Sequence, residues 1–304
     1  MSQRLVLLGG SGFIGQSLLR FQAQGRSGKI FKTVIFDPQP PEYFQPDLFV
    51  QGKIDDTEKI AGLLTAGDIV FHLVHTTIPS DASRPSGEEE KENVNPSLKL
   101  IDLLKKSPVR GLVYLSSGGT VYGEPSERRP ISESAPVNPG SPYARAKIKI
   151  EKAVQGSGVP YLIIRPGNPF GPFQELLNRH GAVGRIFQAL VKNEAFTIYG
   201  QGETVRDYIY IDDFISALLL LAQGGEWGQI FNIGTGIGAS LKQVIAFCEK
   251  ISKKKLTKIY RPLRGTDLDY NVLDSAKIKA RGWKPEYSRE QGLRKTWEYF
   301  TGKT

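Results

Sequence analysis

A tyrosine and a lysine stand four residues apart in the segment Ser-Pro-Tyr-Ala-Arg-Ala-Lys, which ends at Lys147. The Ser-Pro start predicts the first turn of a helix. Residues i and i+4 share one helix face, roughly 5–6 Å apart, so the phenol of Tyr143 and the ammonium of Lys147 point at the same place. Such a pair can remove a proton from a sugar or alcohol hydroxyl and return it. We therefore looked for elements that would hold a redox cofactor beside this pair.

A turn rich in serine and glycine precedes the helix. Residues 113–115 predict a short buried strand, and Ser116-Ser-Gly-Gly-Thr120 follows it directly. The hydroxyls and backbone groups of this turn lie at the carboxyl end of the strand, which is where parallel sheets bind their ligands.

Three glycines near the start of the chain have the spacing of a dinucleotide-binding turn. The apolar run Arg4–Leu8 predicts a buried strand, and Gly9, Gly12 and Gly15 follow it, with a helical pattern after them. Gly9 permits a tight turn, Gly12 lets a pyrophosphate approach the backbone, and Gly15 allows the helix to pack closely on the strand. Because the required strand and helix flank the glycines, we interpret them as a cofactor site.

Asp37 ends the next predicted strand, residues 33–37. A carboxylate at this place accepts hydrogen bonds from a ribose 2′-hydroxyl and repels a 2′-phosphate. No arginine directly follows Asp37, so the sequence favours NAD over NADP.

The strand and helix signals alternate over the first half of the chain. Further strands are expected at residues 49–54, 68–74 and 161–164, a helix cap at Asp55-Asp56-Thr57, a polar loop at 79–87 and a long helix at 88–106. This alternation predicts an α/β fold with a doubly wound, Rossmann-like parallel sheet. After residue 166 the elements shorten: helices are expected at 183–192, 212–223, 241–251 and 288–300, and strands near 197, 208, 230 and 259. We expect an NAD-binding domain at residues 1–166. Residues 167–304 are expected to form a smaller, partly interleaved substrate-binding region, with some segments returning to the first domain.

Composition excludes several function classes. The net charge of +9 is not accompanied by a basic repeat with aromatic residues between its charges, so we expect no nucleic-acid partner. No long apolar run is present, so we expect no membrane span. The single cysteine, Cys248, and a start without a signal-peptide core indicate a cytoplasmic protein. His72 and His75 lack cysteine or acidic partners nearby in sequence, so no metal site is predicted.

Further motifs extend along nearly the whole chain in a fixed order. They are Gly-Gly-Ser-Gly-Phe-Ile-Gly at 9–15, His-Leu at 72–73, Asn-Val-Asn at 93–95, Ser-Ser-Gly-Gly-Thr-Val-Tyr-Gly at 116–123, Tyr-x-x-x-Lys at 143–147, Arg-Pro-x-Asn at 165–168, Gly-x-Gly-x-x-x-Arg-Asp-Tyr-Ile-Tyr-Ile-Asp-Asp at 200–213, Phe-Asn-Ile-Gly-Thr-Gly at 231–236, and Arg-x-x-Asp at 264–267. With these motifs the chain resembles the extended short-chain dehydrogenase/reductases. Within them it is similar to the NAD-dependent epimerase/dehydratase family and its nucleotide-sugar epimerases of the UDP-glucose 4-epimerase type.

The resemblance assigns roles to the residues of the NAD site. It makes Tyr143 the catalytic base, while Lys147 binds the nicotinamide ribose and lowers the pKa of the phenol. The residues implied to bind NAD are Gly9, Gly12, Phe13, Ile14, Gly15, Asp37, Asp55, Leu73, Asn93, Ser116, Tyr143 and Lys147.

The resemblance also implies a nucleotide-sugar site. Asn168, Arg206, Arg264 and Asp267 fall where the family holds the nucleotide diphosphate and ribose, and arginines suit a diphosphate as permanently charged, fork-shaped donors. The residue seven positions beyond the arginine of Arg-x-x-Asp gates the sugar pocket in the family. Here it is Asn271, whose size predicts tolerance of UDP-N-acetylhexosamines.

Four positions depart from the family pattern. The family usually has Ser or Thr where this chain has Gly118, so Ser117, Thr120 or a water molecule must supply the catalytic hydroxyl. The acids with which dehydratases protonate a leaving hydroxyl are missing from Gly-Gly-Thr at 118–120, which argues against 4,6-dehydration. A lysine common after the fourth strand is Thr77. Lys53 replaces the aspartate that contacts adenine, which leaves Ile54 or Asp55 for that contact.

These observations favour NAD-dependent 4-epimerisation of a UDP-sugar through a transient 4-keto intermediate, in the synthesis of surface polysaccharide precursors. Two alternatives stay open: a nucleotide-sugar reductase or decarboxylase, and a catalytically weakened NAD- and nucleotide-binding module. The resemblance further implies a homodimer formed through the helices at residues 88–106 and 143–155.

Overall fold

A parallel β-sheet positions the residues with possible chemistry. The structure, a computed structural model, describes residues 3–77, 87–177, 181–265 and 267–303. Within these ranges seven parallel strands form one sheet in the order β10-β6-β5-β4-β1-β2-β3. Their bounds are β1 Arg4–Leu8, β2 Lys32–Asp37, β3 Leu48–Gln51, β4 Ile69–His72, β5 Gly111–Leu115, β6 Tyr161–Pro166 and β10 Gln229–Ile233.

Alternate residues of each strand point to opposite faces of the sheet, and both faces carry apolar side chains. Helices therefore cover both faces. In β1, Leu5 and Leu7 belong to one buried apolar cluster, whereas Val6 and Leu8 belong to the other. One face packs against α1 (Phe13–Ala23) and α6 (Ile211–Gly224). The other face packs against α2 (Thr57–Leu63), α3 (Asn95–Leu104) and α4 (Pro142–Gln155). The predicted α/β, doubly wound parallel fold is confirmed.

Residues beyond 166 form short strands and helices beside this sheet. Their bounds are β7 Asn168–Phe170, β8 Ala195–Tyr199, β9 Val205–Tyr210, β11 Gly238–Ser240, β12 Thr257–Arg261, β13 Tyr270–Asn271, α5 Ala182–Lys192, α7 Leu241–Ser252, α8 Ala276–Lys279 and α9 Arg289–Phe300. Strand β9 pairs with β7, β11 and β13, and β8 pairs with β12. The segment Gln229–Ile233 enters the central sheet beside β6. The domain division at residue 166 stays a prediction.

Two sequence expectations differ from the structure in detail, and a third lies almost wholly outside the described residues. The third strand, expected at 49–54, spans Leu48–Gln51, because Gly52 and a turn that bonds Asp56 N–H to the Lys53 carbonyl end it. The helix expected at 88–106 contains a π-helical turn, Glu90–Val94, before α3 begins. The loop expected at 79–87 lies, apart from Gly87, outside the described residues.

Among the described residues, no helix is long and apolar enough to cross a membrane. The two helices expected to mediate dimerisation expose charged side chains, among them Lys99 and Asp102 on α3 and Arg145 and Lys149 on α4. The homodimer stays a prediction.

Candidate functional site

The glycine turn between β1 and α1 has the shape that a dinucleotide requires. Gly9 has φ +82°, and a Cβ there would lie 2.9 Å from Val74 Cγ2. A Cβ on Gly15 would lie 2.1 Å from the Gly10 carbonyl oxygen, so only glycine lets the helix pack this closely. At Gly12 the nearest atom to a Cβ is 3.6 Å away, and Gly12 offers no side chain to cap α1. The amides at the start of α1 therefore remain accessible to a phosphate.

Asp37 lies at the end of β2, directly beside this turn. Its Oδ2 accepts a hydrogen bond from the Ser11 amide at 3.1 Å, and its Oδ1 accepts one from the Gln39 amide at 3.0 Å. Burial raises the pKa of Asp37, while these two amide bonds oppose the rise. The carboxylate is thus held at the rim of the glycine turn, in the place expected of a group that binds a ribose hydroxyl.

Other residues implied to bind NAD border the same edge of the sheet. Phe13 and Ile14 form the first turn of α1, and the Leu73 amide donates to the Leu8 carbonyl at 2.9 Å. Asn93 is buried, and its Oδ1 accepts from the Thr76 amide at 2.9 Å. Asp55 is exposed after β3, next to the half-buried Ile54, and the structure leaves the choice between them open.

Tyr143 and Lys147 lie together on the first turns of α4, as predicted. Lys147 is buried, and its Nζ donates to the Leu115 carbonyl at the end of β5 at 2.8 Å. The same Nζ lies 5.7 Å from the centroid of the Tyr143 ring and 5.2 Å from that of Tyr114. The lysine therefore ties the helix to the carboxyl end of β5 and holds its charge near the phenol.

Burial sets the ionisation of this pair. It raises the pKa of Tyr143 to about 12, an effect that the Ser117 hydroxyl opposes and that the Glu89 charge increases. Burial also lowers the pKa of Lys147 to about 7, against the charges of Glu89 and Glu151. Loss of solvation of the phenolate is the largest cause of the rise at Tyr143. The lowering of the pKa of the phenol by Lys147 together with bound NAD stays a prediction.

Ser117, one of the candidates to supply the hydroxyl missing at position 118, lies beside Tyr143. It interacts with the Tyr143 phenol, and its Oγ accepts a hydrogen bond from Thr120 Oγ1 at 3.0 Å. Ser116 points elsewhere, because its hydroxyl donates to the buried carboxylate of Glu151. The turn therefore presents Thr120, Ser117 and Tyr143 in a row.

Gly118 occupies a position with no room for a side chain. A Cβ there would lie 2.6 Å from Leu273 Cδ1 and within 2.9 Å of the carbonyl oxygens of Arg165 and Pro166. The turn thus packs against β6 and against the C-terminal region. This packing explains why a glycine stands where the family usually has Ser or Thr.

A buried ion pair, Arg165 with Glu151, contacts the turn at 116–123 through Ser116. Sequence reasoning did not identify it as part of the site. Arg165 Nε and Nη2 donate to the two carboxylate oxygens of Glu151 at 3.0 and 2.6 Å. Arg165 Nη1 also donates to the Tyr122 hydroxyl at 3.0 Å, which in turn donates to Asn232 Oδ1 at 2.8 Å. The available signal was that Glu151 stands four residues after Lys147, on the same helix face.

Most residues assigned to the nucleotide-sugar lie around β9 and β13. Arg206 and Asn271 are direct partners in the parallel pairing of these strands. Asn168 Nδ2 donates to the Asp207 carbonyl at 3.4 Å. On the loop before β13, Arg264 Nε and Nη2 donate to Asp267 at 3.0 and 2.8 Å.

Asn271 connects the residues around β9 and β13 to the turn at 116–123. It is fully buried, and its Nδ2 donates to the Gly118 carbonyl at 3.0 Å. A contact between Asn271 and a sugar stays a prediction, since its side chain has no exposed surface here.

That His72 and His75, near the end of β4, hold no metal stays a prediction. His72 is buried, with its Nε2 2.8 Å from Ser97 Oγ, and burial lowers its pKa to about 3. Within the described ranges, no group of three or more His, Cys, Asp or Glu side chains has the geometry to hold a metal ion.

Comparison with known proteins shows which family this chain belongs to. Residues 5–234 match the model of the NAD dependent epimerase/dehydratase family. A UDP-glucose 4-epimerase from Mycolicibacterium smegmatis is 30% identical over 319 residues, covering 99% of each chain. A dTDP-4-dehydro-6-deoxyglucose reductase from Escherichia coli is 27% identical, covering 96% of this chain and 95% of that protein.

Among solved structures, the UDP-glucose 4-epimerase of Thermotoga maritima with UDP-glucose superposes with a TM-score of 0.85 at 29% identity. The match covers 98% of this chain and 99% of that one. The glycine turn and Asp37 fit the requirements for binding a dinucleotide. The chain therefore belongs to the NAD-dependent epimerase/dehydratase family, and NAD is its cofactor.

Proposed function

We propose that this chain catalyses the 4-epimerisation of a UDP-sugar through a transient 4-keto intermediate. The observation that carries the proposal is the placement of Tyr143, Lys147 and Ser117 together at the carboxyl end of β5, in the sheet whose β1–α1 turn fits NAD. The similarity over full length to UDP-glucose 4-epimerases supports the same reaction.

Each side chain has a distinct task in this proposal. NAD supplies a hydride acceptor that later returns the hydride. The Tyr143 phenolate takes the proton of the 4-hydroxyl and gives it back when the hydroxyl re-forms on the opposite face. Ser117 donates to the phenolate, and Lys147 in its protonated form places a positive charge beside it. Thr120 fixes the Ser117 hydroxyl by the bond between their oxygens.

A nucleotide-sugar reductase is the second candidate, favoured by the similarity to the dTDP-4-dehydro-6-deoxyglucose reductase. A reductase consumes one reduced cofactor per turnover, whereas an epimerase leaves its cofactor unchanged. The missing acids at residues 118–120 argue against a dehydratase, because no carboxyl group stands there to protonate a leaving hydroxyl.

Incubation of the purified protein with UDP-galactose, UDP-N-acetylglucosamine and UDP-glucuronate, followed by NMR, tests the proposal. Formation of the 4-epimer without consumption of NAD supports it. Net oxidation or reduction, loss of CO2 or no turnover of any UDP-sugar would contradict it. The size of Asn271 further leads us to expect turnover of UDP-N-acetylglucosamine. Turnover of UDP-galactose alone would refute that narrower expectation.

Replacing Tyr143 with Phe removes the proton acceptor while keeping the ring. We expect kcat to fall by about 10³-fold, within the range for loss of a general base. Ser117→Ala should lower kcat by about tenfold and Thr120→Val by less, because Thr120 acts through Ser117. Equal losses in these two serine and threonine variants would contradict the order of the row.

The pH dependence should report the Tyr143 phenol. Burial raises its pKa to about 12, and a bound NAD⁺ lowers it because a positive charge favours the phenolate. We therefore expect kcat/KM to rise with increasing pH, with a midpoint below 12. Loss of the Lys147 ammonium, whose pKa burial lowers to about 7, limits this rise from the high-pH side. A kcat/KM that shows no rise with pH would contradict the assignment.

A further inference from the structure

A largely buried carboxylate lies beside the catalytic pair and has no role in the reaction described above. Glu89 lies at the start of the helix that follows residues 78–86, which are outside the described ranges. Only 15% of its side chain is exposed. Its negative charge raises the pKa of three groups of the site: Tyr143, Lys147 and Tyr114. The adjacent residue Glu90, by contrast, pairs with the exposed Lys149 on α4.

Hydrogen bonds fix the Glu89 carboxylate from two directions. Asn93 Nδ2 donates to its Oε2 at 3.0 Å, and the Thr77 hydroxyl donates to its Oε1. Asn93 is itself held by the Thr76 amide. Glu89 directly precedes the π-helical turn Glu90–Val94 and Asn93 lies within it, and such turns often occur at functional sites.

His75 joins this carboxylate to the catalytic tyrosine. Its Nε2 lies 3.5 Å from Glu89 Oε2, and only 9% of its side chain is exposed. Its ring meets the Tyr143 ring edge to face, with centroids 4.7 Å apart and planes at 82°. Movement of either Glu89 or His75 therefore changes the surroundings of the phenol.

We propose that Glu89 and His75 form a positioning pair that orients the Tyr143 ring and places a negative charge beside Tyr143 and Lys147. The other charged or titratable groups that interact with Tyr143 or Lys147 are Glu151 on α4, Tyr114 on β5 and His72 on β4. With Lys147, the fixed carboxylate makes a local balance of charge in which bound NAD⁺ supplies the excess positive charge that releases the phenol proton. The link to proton transfer depends on the proposed function, whereas the contact itself does not.

The test is a titration of the Tyr143 phenol in the NAD-loaded protein, followed by NMR of ring-labelled tyrosine. The Tyr143→Phe variant assigns the signal. Glu89→Gln keeps the size of the side chain and one acceptor oxygen but removes the charge. We expect it to lower the pKa of the phenol by about one pH unit. Glu90→Gln is the matched control, with the same chemical change one residue away, and should leave the pKa of the phenol unchanged.

A second variant tests the histidine. His75→Phe keeps an aromatic ring against Tyr143 and removes the partner of Glu89, so the pKa of the phenol should rise. In the Glu89→Gln background the same change should have a smaller effect, because the two residues act as a pair. An unchanged pKa of the phenol in Glu89→Gln, an equal shift in Glu90→Gln, or strictly additive effects would overturn the proposal. Absence of UDP-sugar turnover by the wild type would refute the proposed function and leave this titration decisive for the pair.

Discussion

Two turns at the carboxyl edge of the same sheet are built in different ways. In the glycine turn at 9–15, the tightest contact is local, since Gly15 packs on the backbone of Gly10. In the turn at 116–123, the tight contacts come from far along the chain. Leu273 and the carbonyls of β6 close on Gly118, and Asn271 bonds its carbonyl across 153 positions in sequence. The cofactor side of the site is thus encoded by local spacing, whereas the substrate side depends on tertiary packing.

The largest effect should come from a side chain in the local turn. Gly15→Ala would place a Cβ 2.1 Å from the Gly10 carbonyl oxygen, and backbone must move to relieve it. We expect a loss of at least about 3 kcal/mol in the free energy of unfolding, together with loss of NAD binding. Urea denaturation and calorimetry of NAD binding measure the two effects.

Gly62→Ala on α2 is the control for that variant, because nothing lies within 4 Å of its Cβ. There alanine should leave the free energy of unfolding unchanged or raise it by up to about 1 kcal/mol. If both variants retain wild-type stability and NAD binding, close packing at Gly15 is not required for the turn to form and to bind NAD.

The difference between the turns explains what the sequence could predict. The doubly wound sheet, the glycine turn, Asp37 and the Tyr143–Lys147 pair all follow from periodicity or from spacings of a few residues. The elements after residue 166 were also located, because each carries its own apolar pattern. Their pairing, and the return of Gln229–Ile233 to the central sheet, could not be read from those patterns.

The features that sequence reasoning missed depend on contacts between distant residues. The partner of Glu151 is Arg165 on β6, and that of Glu89 is His75 at the end of β4. The rise in the pKa of Tyr143 likewise depends on how deeply the fold buries the phenol. A glycine at 118 looked like a missing catalytic group, and only the packing of Leu273 shows a steric reason for it.

A smaller effect is expected where packing is tertiary. Gly118→Ser restores the residue type usual in the family, yet its Cβ would lie within 2.9 Å of two carbonyl oxygens and of Leu273. We expect a loss of about 1–3 kcal/mol in the free energy of unfolding, and a lower rate of epimerisation because the turn shifts. Thermal unfolding and NMR assays of turnover measure both quantities.

Gly119→Ser provides the comparison at the next position. The nearest atom to its Cβ is Ser117 Oγ at 4.0 Å, so the change in the free energy of unfolding should stay within about 0.5 kcal/mol. A Gly118→Ser protein that is as stable as Gly119→Ser and more active than the wild type would show that the turn adapts freely. The distinction between the two turns would then fail.

The smallest effect on stability should come from the outer part of the substrate side. Arg264 is 35% exposed and bonds Asp267 through two nitrogens, with its guanidinium carbon 4.3 Å from the centroid of the Tyr199 ring. Arg264→Lys keeps the charge but removes the planar fork. Because half-exposed ion pairs contribute at most about 1 kcal/mol, the free energy of unfolding should barely change.

In the same variant, KM for a UDP-sugar should rise several-fold while kcat is preserved, since a diphosphate is bound best by a fork of fixed donors. Arg281→Lys is the matched control, because Arg281 forms a similarly exposed pair with Glu226. It should alter neither KM nor stability. Steady-state kinetics with both variants separate the two roles of an arginine. An unchanged KM in Arg264→Lys would mean that Arg264 only anchors its loop, and the substrate side would then have to bind the diphosphate through Arg206.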